Sequence, residues 1–474
     1  MENNGLIFNG VTSDSRKVKE GYIFVAIKGE EKDGNEYIKD AEKNGATLII
    51  SEENIVTNNP HLQVKDARIA LAKMNKLFYS LPENEIKVIG VTGTNGKTTT
   101  THMIEAIFNQ ADRGIALMGG QGFKIGTNSK KSMLTTPSSE EINEYLYNAK
   151  QKGIKWTVME VSSHGLKQRR VEGIDFDTAI FTNISSDHLD YHKSFEDYFN
   201  SKKILFQGLK NNSRAVINGD DPWALKMLEG QQNIYIITYG LKSKSTITAS
   251  SIDAGQGIKF NYCLQRSLDS YKKNRIDVQE FPIELNLLGQ HNIYNALAAI
   301  TTALIYEIPI DSIQKALKKF KPVSRRLEYS FMSPFYILDD YAHNPSSFEA
   351  AFEALQSIDY KNVHVLVGIR GNRGIEINQQ NAEIIGNWCS LLEINDLYVT
   401  EYKESLEERS RVNPNEREIF LNTLKKKNIP FKFNPTIEES VKQILLKAES
   451  KDLIMLLGGH GMDSGKEIIQ KLIK

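Results

Sequence analysis

Short apolar segments alternate with amphipathic segments along most of the chain. From Lys87 onward, apolar runs such as KVIGV, WTVMEV and TAIFTNI end in polar or glycine-rich residues, and several lead into stretches with helical spacing. This alternation is typical of parallel strands joined by covering helices. The pattern therefore predicts an α/β protein whose ligands bind beyond the carboxyl ends of its strands.

The pattern also predicts three domains. Residues 1–86 contain the β-like pieces YIFVAI and ATLII, and Pro82 with the polar residues after it resembles a linker. Residues 87–322 form the next unit, and its last long helix is predicted over HNIYNALAAITTALIYEI. Residues 323–474 repeat the strand–helix alternation. We expect a small α/β domain, a central P-loop mononucleotide-binding domain with a parallel sheet, and a C-terminal Rossmann-like domain. Residues 242–285 are expected to form an antiparallel appendage of the central domain.

Composition narrows the class of protein. The 474 residues include 59 Lys and Arg and 59 Asp and Glu, so the basic excess of a nucleic-acid-binding protein is missing. The two cysteines, Cys263 and Cys389, cannot form a disulfide framework or a cysteine-rich metal site. No apolar run reaches the ~18 residues of a membrane span, and no secretory leader is evident. We expect a cytoplasmic monomer with small-molecule substrates and neither nucleic-acid nor membrane partners.

The segment GVTGTNGKTTT, residues 90–100, joins an apolar strand to a helix. Such a loop directs several backbone N–H groups at one point, where the helix N-terminus adds partial positive charge. The spacing departs from the strict P-loop, because Val91 stands where the first glycine is expected. A phosphate site is nevertheless predicted, with Lys97 on a terminal phosphate and Thr98 on Mg²⁺. Its residues are Gly93, Thr94, Asn95, Gly96, Lys97, Thr98 and Thr99.

Acidic and histidine residues follow two later apolar runs. Glu160 ends WTVME, where its carboxylate could hold a second face of Mg²⁺. The segment FTNISSDHLDYH offers Asp187, His188, Asp190 and His192 as possible metal ligands, and Lys202 comes shortly after it. From the residues alone, an exposed glutamate, a polar loop and a solvated lysine remain alternatives.

In combination these segments resemble the Mur ligases, and within them the MurE branch, over the whole chain. The further motifs that carry the resemblance are DSRKVKEGYIFVAIKGEEKDG, LTTPSS, LLGQHNIYNALAA and DDYAHNP. That branch adds the third amino acid to UDP-N-acetylmuramoyl-L-alanyl-D-glutamate in peptidoglycan synthesis. The resemblance implies that ATP phosphorylates the peptide carboxylate and that an amine then attacks the acyl phosphate, giving an amide, ADP and phosphate.

The resemblance also assigns roles to residues. Lys97, Glu160, His188 and Lys202 are implied to be catalytic; Thr98, Glu160 and His188 would be metal ligands, joined by Lys202 if CO₂ carbamylates it. The implied ATP contacts beyond the loop are Asn292, Arg326, Asp340, His343 and Asn344. The implied contacts to the UDP-linked substrate are Ser15, Arg16, Thr135, Thr136, Ser162 and Arg170.

The C-terminal domain departs from the pattern of this branch. Its D-N-P-R element is missing after DLYVT, and in LLGGHGMDSGK Gly459 occupies the lysine position of G-K-G-H-E. The segment GIRGNRGIEINQQ lacks the second Asp and the Lys-Arg pair of the family segment, and VSRRLE looks more like the muramate–alanine ligases. A rebuilt acceptor pocket is therefore expected, with the candidates Arg370, Arg373, Glu401, Arg409, Arg411 and Asp463.

Three functional hypotheses remain at this point. The first is a peptide-bond ligase that adds meso-diaminopimelate or L-lysine to the UDP-muramoyl dipeptide. The second is a MurE-like ligase recruited to join a different amine or carboxylate, which the altered acceptor motifs favour. The third is a non-catalytic UDP-peptide-binding regulator, which the intact Lys97, Glu160, His188 and Lys202 argue against. A P-loop motor is weaker still, because neither a Walker-B strand nor an arginine finger can be identified.

Overall fold

Three consecutive sheet-containing units make up the chain in a computed structural model. The model describes residues 8–29, 32–81, 85–132, 134–255, 257–401 and 411–473. The linker predicted at Pro82 lies outside the described residues. No described helix is long and apolar enough to cross a membrane. The three-domain α/β architecture expected from the sequence is confirmed.

The N-terminal unit is a parallel sheet in the order β1-β2-β3-β4. Its core includes Ile23, Phe24 and Ile49, which are fully buried. Asp66 begins the longer helix by accepting a hydrogen bond from the backbone N–H of Ile69. The elements of the N-terminal unit are β1 Gly10–Thr12, β2 Tyr22–Val25, α1 Ile38–Lys43, β3 Ala46–Ser51, β4 His61–Gln63 and α2 Ala67–Phe78.

The central unit is built on a larger sheet with the order β17-β14-β13-β12-β11-β10-β5-β9-β6-β7-β8. Strands β12 to β6 along this order are parallel, and β5 lies between β10 and β9. The strands of the central unit are β5 Lys87–Thr92, β6 Ile115–Gly119, β7 Gly122–Ile125, β8 Asn128–Lys130, β9 Trp156–Glu160, β10 Phe176–Phe181, β11 Arg214–Asn218, β12 Tyr235–Tyr239, β13 Ile247–Asp253, β14 Ile258–Leu264, β15 Leu268–Asp269, β16 Arg275–Ile276 and β17 Gln279–Leu285. Strands β15 and β16 pair with each other in a separate two-stranded sheet. The chain leaves β5 in the middle of the sheet, which is where such folds bind ligands.

Helices cover both faces of this sheet. The helix α8 is apolar on nearly all sides and almost wholly buried, and it packs against α3. The central helices are α3 Lys97–Gln110, α4 Ser139–Gln151, α5 Ser163–Lys167, α6 Phe195–Gln207, α7 Ala224–Met227, α8 His291–Ile305 and α9 Ile310–Lys319. The helix predicted over HNIYNALAAITTALIYEI is confirmed.

The predicted appendage at 242–285 is part of the main sheet. Strand β13 pairs in parallel with β12, and β14 and β17 then extend the same sheet as antiparallel strands. Its inward residues alternate with exposed ones, so that Phe260, Tyr262 and Ile283 join the central core. The antiparallel pairing was predicted correctly, whereas its continuity with the parallel sheet depends on that shared core.

The C-terminal unit is a sheet in the order β18-β19-β23-β20-β21-β22, parallel except for β18. The carboxyl ends of β19, β23 and β20 therefore lie side by side. The elements are β18 Glu328–Met332, β19 Phe335–Asp340, α10 Pro345–Leu355, β20 Val363–Ile369, α11 Ile375–Leu391, β21 Leu397–Glu401, α12 Pro414–Lys426, β22 Phe431–Asn434, α13 Ile437–Leu445, β23 Leu453–Leu457 and α14 Gly465–Ile473. The predicted domain boundaries fall between α2 and β5 and between α9 and β18, and they stay predictions.

Candidate active site

The phosphate loop lies between β5 and α3. Gly96 has a φ of +88°, and a Cβ there would approach Asn295 Oδ1 to 2.5 Å, so glycine is required on both counts. Lys97 is the first helical residue, and its ammonium donates hydrogen bonds to the carbonyls of Gly93 at 3.0 Å and Thr94 at 2.8 Å. Burial lowers the pKa of Lys97. The loop thus presents a cation and a helix N-terminus at one point, which suits a phosphate group.

Thr98 and Glu160 form an oxygen pair beside this loop. Thr98 Oγ1 donates to Glu160 Oε2 at 2.8 Å, and the backbone N–H of Gly120 donates to Glu160 Oε1 at 2.9 Å. Glu160 is only 1% exposed. A hydroxyl and a carboxylate are hard oxygen donors, the kind that Mg²⁺ prefers. These two residues would hold an Mg²⁺ ion beside the phosphate loop.

Lys202 approaches the same loop from α6. Its Nζ donates to the carbonyl of Gly93 at 2.8 Å and lies 4.4 Å from the centre of the Tyr198 ring. The side chain is 1% exposed. Burial and the neighbouring Lys97 hold the pKa of Lys202 well below its usual value. The lowered pKa favours the neutral form of the amine, which is the form that reacts with CO₂.

Asp187 is the point at which the central and C-terminal domains meet. It is fully buried, and it accepts a hydrogen bond from Asn344 Nδ2 at 3.0 Å. His343 Nε2 lies 3.4 Å from its Oδ2, and Arg373 Nη1 lies 3.4 Å from its Oδ1. Burial alone would raise the pKa of Asp187, but His188, His343 and Arg373 hold that pKa well below its usual value. Asp187 is therefore an anion that holds three C-terminal side chains.

His188 is engaged by an arginine in this structure. Arg373 Nη1 lies 2.6 Å from His188 Nδ1, and it lies 3.6 Å from Asp190 Oδ1. His192 is buried and contacts Ser163 Oγ at 3.0 Å through Nε2. Within the described residues, no group of three His, Cys, Asp or Glu side chains is arranged to hold a metal ion. The site thus fits one Mg²⁺ at Thr98 and Glu160, whereas His188 in this arrangement does not fit a second.

A second contact joins the phosphate loop to the C-terminal domain. Asn95 Nδ2 donates to Ser346 Oγ at 2.9 Å and to Asn344 Oδ1 at 3.3 Å. Ser185 of the central domain also contacts Ser346 Oγ at 2.8 Å. Asn344 caps α10, which fixes this corner on a helix N-terminus. The cleft between the two domains is therefore closed around the loop.

The remaining predicted ATP contacts flank this cleft. Asn292 is the second residue of α8, and its Nδ2 donates to Leu288 O at 2.7 Å. The Arg326 guanidinium lies 4.7 Å from the centre of the Tyr341 ring. Asp340 accepts a hydrogen bond from the backbone N–H of Leu327 at 2.7 Å, and burial raises its pKa to about 6. Their contact with ATP stays a prediction.

Four of the predicted substrate residues lie near Glu160. Thr136 Oγ1 contacts Ser162 Oγ at 3.0 Å and donates to the Glu160 carbonyl at 3.0 Å, and Arg170 Nη1 donates to the Thr136 carbonyl at 2.7 Å. The fourth, Thr135, lies beside Gly120. This network places hydroxyls and a guanidinium next to the Mg²⁺ pair.

Two further predicted substrate residues lie in the N-terminal domain. Ser15 is buried, and its carbonyl accepts a hydrogen bond from Asn44. The Arg16 side chain is 87% exposed and pairs with Asp14. They lie close in sequence to Ser13, which donates from its backbone and hydroxyl to Glu140 of the central domain at 3.1 Å. Their predicted role with the uridine nucleotide stays a prediction.

Two acidic acceptor candidates are paired inside the C-terminal domain. Asp463 pairs with Arg325, whose guanidinium also donates to Asp339 at 3.1 Å. Glu401 pairs with Arg417 at 2.8 Å. These carboxylates pair with the domain's own arginines, so the charge of each is already matched within the domain.

The arginine candidates behave differently from one another. Arg411 is exposed, and Arg409 lies outside the described residues. Arg373 is committed to Asp187 and His188. Arg370 follows β20 and is partly buried, with neither a hydrogen bond nor an ion pair from its guanidinium to the described part of the chain. It is thus the candidate whose charge is unmatched there.

Several residues of the site were not identified from the sequence. Glu416 accepts hydrogen bonds from the backbone N–H groups of Asn372, Arg373 and Gly374 at 2.7–2.9 Å, and so fixes the loop that carries both cleft arginines. Nothing in the local sequence separates Glu416 from an ordinary helix-capping glutamate. Ser346 directly follows the DDYAHNP motif. Its position shortly after a helix-capping asparagine was the sequence feature that could have identified it.

Comparisons with known proteins agree with this arrangement. Three family descriptions match in order: "Mur ligase family, catalytic domain" over residues 7–89, "Mur ligase middle domain" over 91–303 and "Mur ligase, glutamate ligase domain" over 325–460. The UDP-N-acetylmuramoyl-L-alanyl-D-glutamate–2,6-diaminopimelate ligase of Caldanaerobacter subterraneus subsp. tengcongensis is 34% identical over 472 residues, covering 97% of this chain and 91% of the relative.

Solved structures share the fold over the whole length. One described as a UDP-N-acetylmuramoyl-L-alanyl-D-glutamate–2,6-diaminopimelate ligase superposes with a TM-score of 0.67 at 25% identity, covering 98% of this chain and 96% of that one. MurF ligase from Thermotoga maritima in complex with ADP superposes with a TM-score of 0.70 at 19% identity, covering 99% of each chain. At that identity the second match supports the fold alone.

Fold and site together define an ATP-dependent ligase that joins a carboxylic acid to an amino acid. The phosphate loop, the Thr98–Glu160 pair and the cleft-facing C-terminal domain are the parts that such a reaction needs. The chain belongs to the Mur ligase family, and the relative that it matches over nearly its whole length is a ligase of the MurE type.

Proposed function

We propose that this protein adds meso-diaminopimelate to UDP-N-acetylmuramoyl-L-alanyl-D-glutamate during peptidoglycan synthesis. The observation that carries the proposal is the closed cleft, in which Asn95 of the phosphate loop touches Asn344 and Ser346. It brings a phosphate site and an amino-acid-binding domain face to face, as an acyl-phosphate reaction requires. The full-length match to a diaminopimelate ligase supports this choice of acceptor.

The residues divide the reaction into two steps. In the first, the γ-phosphoryl group of ATP passes to the glutamate side-chain or α-carboxylate oxygen of the peptide, and ADP leaves. Lys97 would balance the charge on that phosphoryl group. In the second, the incoming amine attacks the acyl carbon and loses a proton, and phosphate leaves as the amide forms. Cleft closure would keep water away from the acyl phosphate, which water would otherwise hydrolyse.

Mg²⁺ and a modified lysine complete the proposal. Thr98 and Glu160 would hold one Mg²⁺, which when bound would neutralise phosphate charge. Lys202 is a candidate for carbamylation by CO₂, because burial and the neighbouring Lys97 lower the pKa of its amine. The product would be an anion beside the phosphate loop. We derive no step through a second metal ion, since Arg373 contacts His188.

The other proposed contacts follow the domains. The N-terminal domain would hold the uridine nucleotide through Ser15 and Arg16, and Thr135, Thr136, Ser162 and Arg170 would hold the muramoyl peptide. Asn292, Arg326, Asp340, His343 and Asn344 would contact ATP. We propose the boundaries 1–86, 87–322 and 323–474, a monomer, and a cytoplasmic location, where ATP and UDP-linked precursors are found.

The test is an ADP-release assay with product mass. Purified protein would be incubated with ATP, Mg²⁺, bicarbonate and UDP-N-acetylmuramoyl-L-alanyl-D-glutamate, together with one amine from a panel. The panel includes meso-diaminopimelate, L-lysine, L-ornithine and neutral amino acids. We expect ADP release that needs every component, and a product heavier by one diaminopimelate less one water.

Two controls make the result decisive. Lys97→Met should abolish ADP release, whereas Lys155→Ala, at an exposed lysine, should leave it unchanged. Folded, ATP-binding protein that gives no amide with any panel member would contradict the proposal.

A second candidate is a MurE-like ligase that joins a different amine or carboxylate. The observation that favours it lies in the acceptor region, where Gly459 occupies the lysine position of the MurE element G-K-G-H-E. The same panel distinguishes the two, because turnover with a neutral amino acid or ornithine in preference to diaminopimelate would support this second function.

A further inference from the structure

Arg370 carries the unmatched charge of the cleft. It comes directly after β20, at the carboxyl edge of the C-terminal sheet, where parallel sheets bind their ligands. Across the part of the chain that the structure describes, its guanidinium makes neither a hydrogen bond nor an ion pair, although it is partly buried. Burial and Arg373 lower its pKa to about 10, so the side chain keeps its charge at neutral pH. A partly buried cation without a partner is costly unless a ligand supplies the anion.

The neighbouring cations already have partners. Arg325 holds Asp339 and Asp463, and Arg373 holds Asp187. Lys97 points into the phosphate loop, where its ammonium meets two carbonyls. Within the described part of the chain, Arg370 therefore differs from these three cations, because its donors make no hydrogen bond.

The surroundings of Arg370 are shaped to receive it. A Cβ on Gly459 would lie 3.0 Å from Arg370 Cδ and 3.3 Å from Nη1, so any larger residue at 459 would crowd the arginine. The φ of Gly459 is −71°, which does not require glycine. On the other side, the guanidinium lies 5.8 Å from the centre of the Tyr341 ring. Glu416 fixes the following loop through three backbone N–H groups.

The position selects the kind of anion. The phosphate groups of ATP have the loop N–H groups, Lys97 and the Thr98–Glu160 pair on the central domain. Arg370 lies on the C-terminal domain, on the side of the cleft where Arg373 meets Asp187 and Asp190. Every amino acid that enters there brings an ionised carboxylate, which loses water as the cleft closes. A guanidinium binds a carboxylate through two parallel hydrogen bonds.

We infer that Arg370 binds a carboxylate of the incoming amino acid and thereby sets the enzyme's selectivity for its acceptor. The inference rests on the proposed ligase function. Gly459 has its own part in this arrangement, because the space left by its missing side chain is the space that Arg370 occupies.

The test measures KM separately for each substrate in the ADP-release assay. Arg370→Gln should raise the KM for diaminopimelate about 30-fold, in the range expected for loss of a charge-assisted contact, with the KM for ATP within about twofold of wild type. The KM of Arg370→Lys for diaminopimelate should lie between those of wild type and Arg370→Gln. Lysine keeps the positive charge but lacks the planar guanidinium that binds a carboxylate through two hydrogen bonds. Gly459→Leu, which crowds Arg370 without altering its charge, should also raise the KM for diaminopimelate.

Controls separate a binding role from a folding defect. Arg275→Gln, at an exposed arginine paired with Asp277, should match wild type. Thermal unfolding and binding of a non-hydrolysable ATP analogue establish that each variant is folded. If Arg370→Gln raises the KM for ATP as much as that for the amino acid, or changes neither, the inference is wrong while the ligase function stands. Wild-type protein that is inert with every amino acid would overturn both.

Discussion

The two sides of the cleft achieve their charge balance in different ways. On the central side, the phosphate loop is built from backbone groups and Lys97, and Glu160 is held by a hydroxyl and a backbone N–H. On the C-terminal side, arginines and carboxylates pair mainly with each other, as Arg325 does with Asp463 and Arg417 with Glu401. The first side can therefore be recognised from a short motif, whereas the second depends on partners far apart in the chain.

This difference explains where the chain departs from the pattern of its relatives. Phosphate chemistry is the same for every acceptor, so the groups that handle it cannot change without loss of the reaction. An acceptor needs only a complementary set of charges, and several residue arrangements can provide one. The glycine at position 459 is thus compatible with an active enzyme.

The largest expected effect is on the phosphate side. Lys97→Met should lower ADP release roughly 10³-fold, because the charge next to the transferred phosphoryl group is lost. Rapid-quench or coupled ADP assays measure this, and the UDP-peptide should still bind. Activity near that of wild type would mean that Lys97 is not at the phosphoryl group, and the contrast drawn between the two sides of the cleft would be wrong.

Glu160→Gln tests the proposed Mg²⁺ site on the same side of the cleft. The amide keeps the shape but removes the negative charge, so the Mg²⁺ concentration for half-maximal activity should rise roughly 10–100-fold. A titration of ADP release with Mg²⁺ measures the shift. Recovery at high Mg²⁺ is expected, and an unchanged Mg²⁺ dependence would place the ion elsewhere.

Glu416→Gln tests the internal pairing of the C-terminal side. Since its carboxylate accepts three backbone N–H groups, the substitution should lower the free energy of unfolding by about 2 kcal/mol. Glu418→Gln, at an exposed position of the same helix, is the matched control. Urea unfolding gives the difference, and equal stability of the two variants would contradict it.

Ser346→Ala tests the contact that joins the two sides. Loss of the hydrogen bonds from Asn95 and with Ser185 should lower kcat about fivefold, as expected for about 1 kcal/mol, by weakening the closed cleft. Solution scattering with an ATP analogue and UDP-peptide should show less compaction than wild type. Ser450→Ala, at an exposed serine of the same domain, should behave as wild type.

The smallest expected effect is a pH dependence away from the cleft. His364 contacts Asp396 Oδ2 at 2.5 Å and Asp452 Oδ2 at 3.2 Å. Burial alone would lower its pKa, but the two carboxylates raise that pKa above the ordinary 6.5. The folded state therefore binds this proton more tightly, so its stabilisation is complete below about pH 6.5 and is lost as the pH rises through the folded pKa.

Thermal unfolding of wild type and His364→Gln at about pH 6 and about pH 9 measures this contribution. The advantage of wild type in Tm should shrink by about 2–4 °C at the higher pH, roughly what 1 kcal/mol produces in a domain of this size. Because Lys447 also pairs with Asp396, a parallel Lys447→Gln variant shows how much of the slope belongs to the histidine. A Tm difference between wild type and His364→Gln that stays constant from about pH 6 to about pH 9 would contradict the raised pKa of His364.

The sequence by itself determined the class of fold and the phosphate side of the site. Alternation of apolar runs and helical spacing predicts parallel sheets, since local hydrophobic periodicity decides which faces are buried. The loop through Lys97 and Thr98 could be recognised because its groups are consecutive and its chemistry is local. Glu160 followed from its place at the end of a strand next to that loop.

Only the tertiary structure determined which charged residues pair with one another on the acceptor side. Six charged candidates were equivalent in the sequence. Only packing distinguished Asp463 and Glu401, which pair with arginines, from Arg370, which has no charged partner among the described residues. The same is true of Glu416, which reaches a loop more than forty residues away in the chain. Charge pairing depends on distances between side chains from different strands, and those distances are set by the packing of the whole sheet rather than by any local segment.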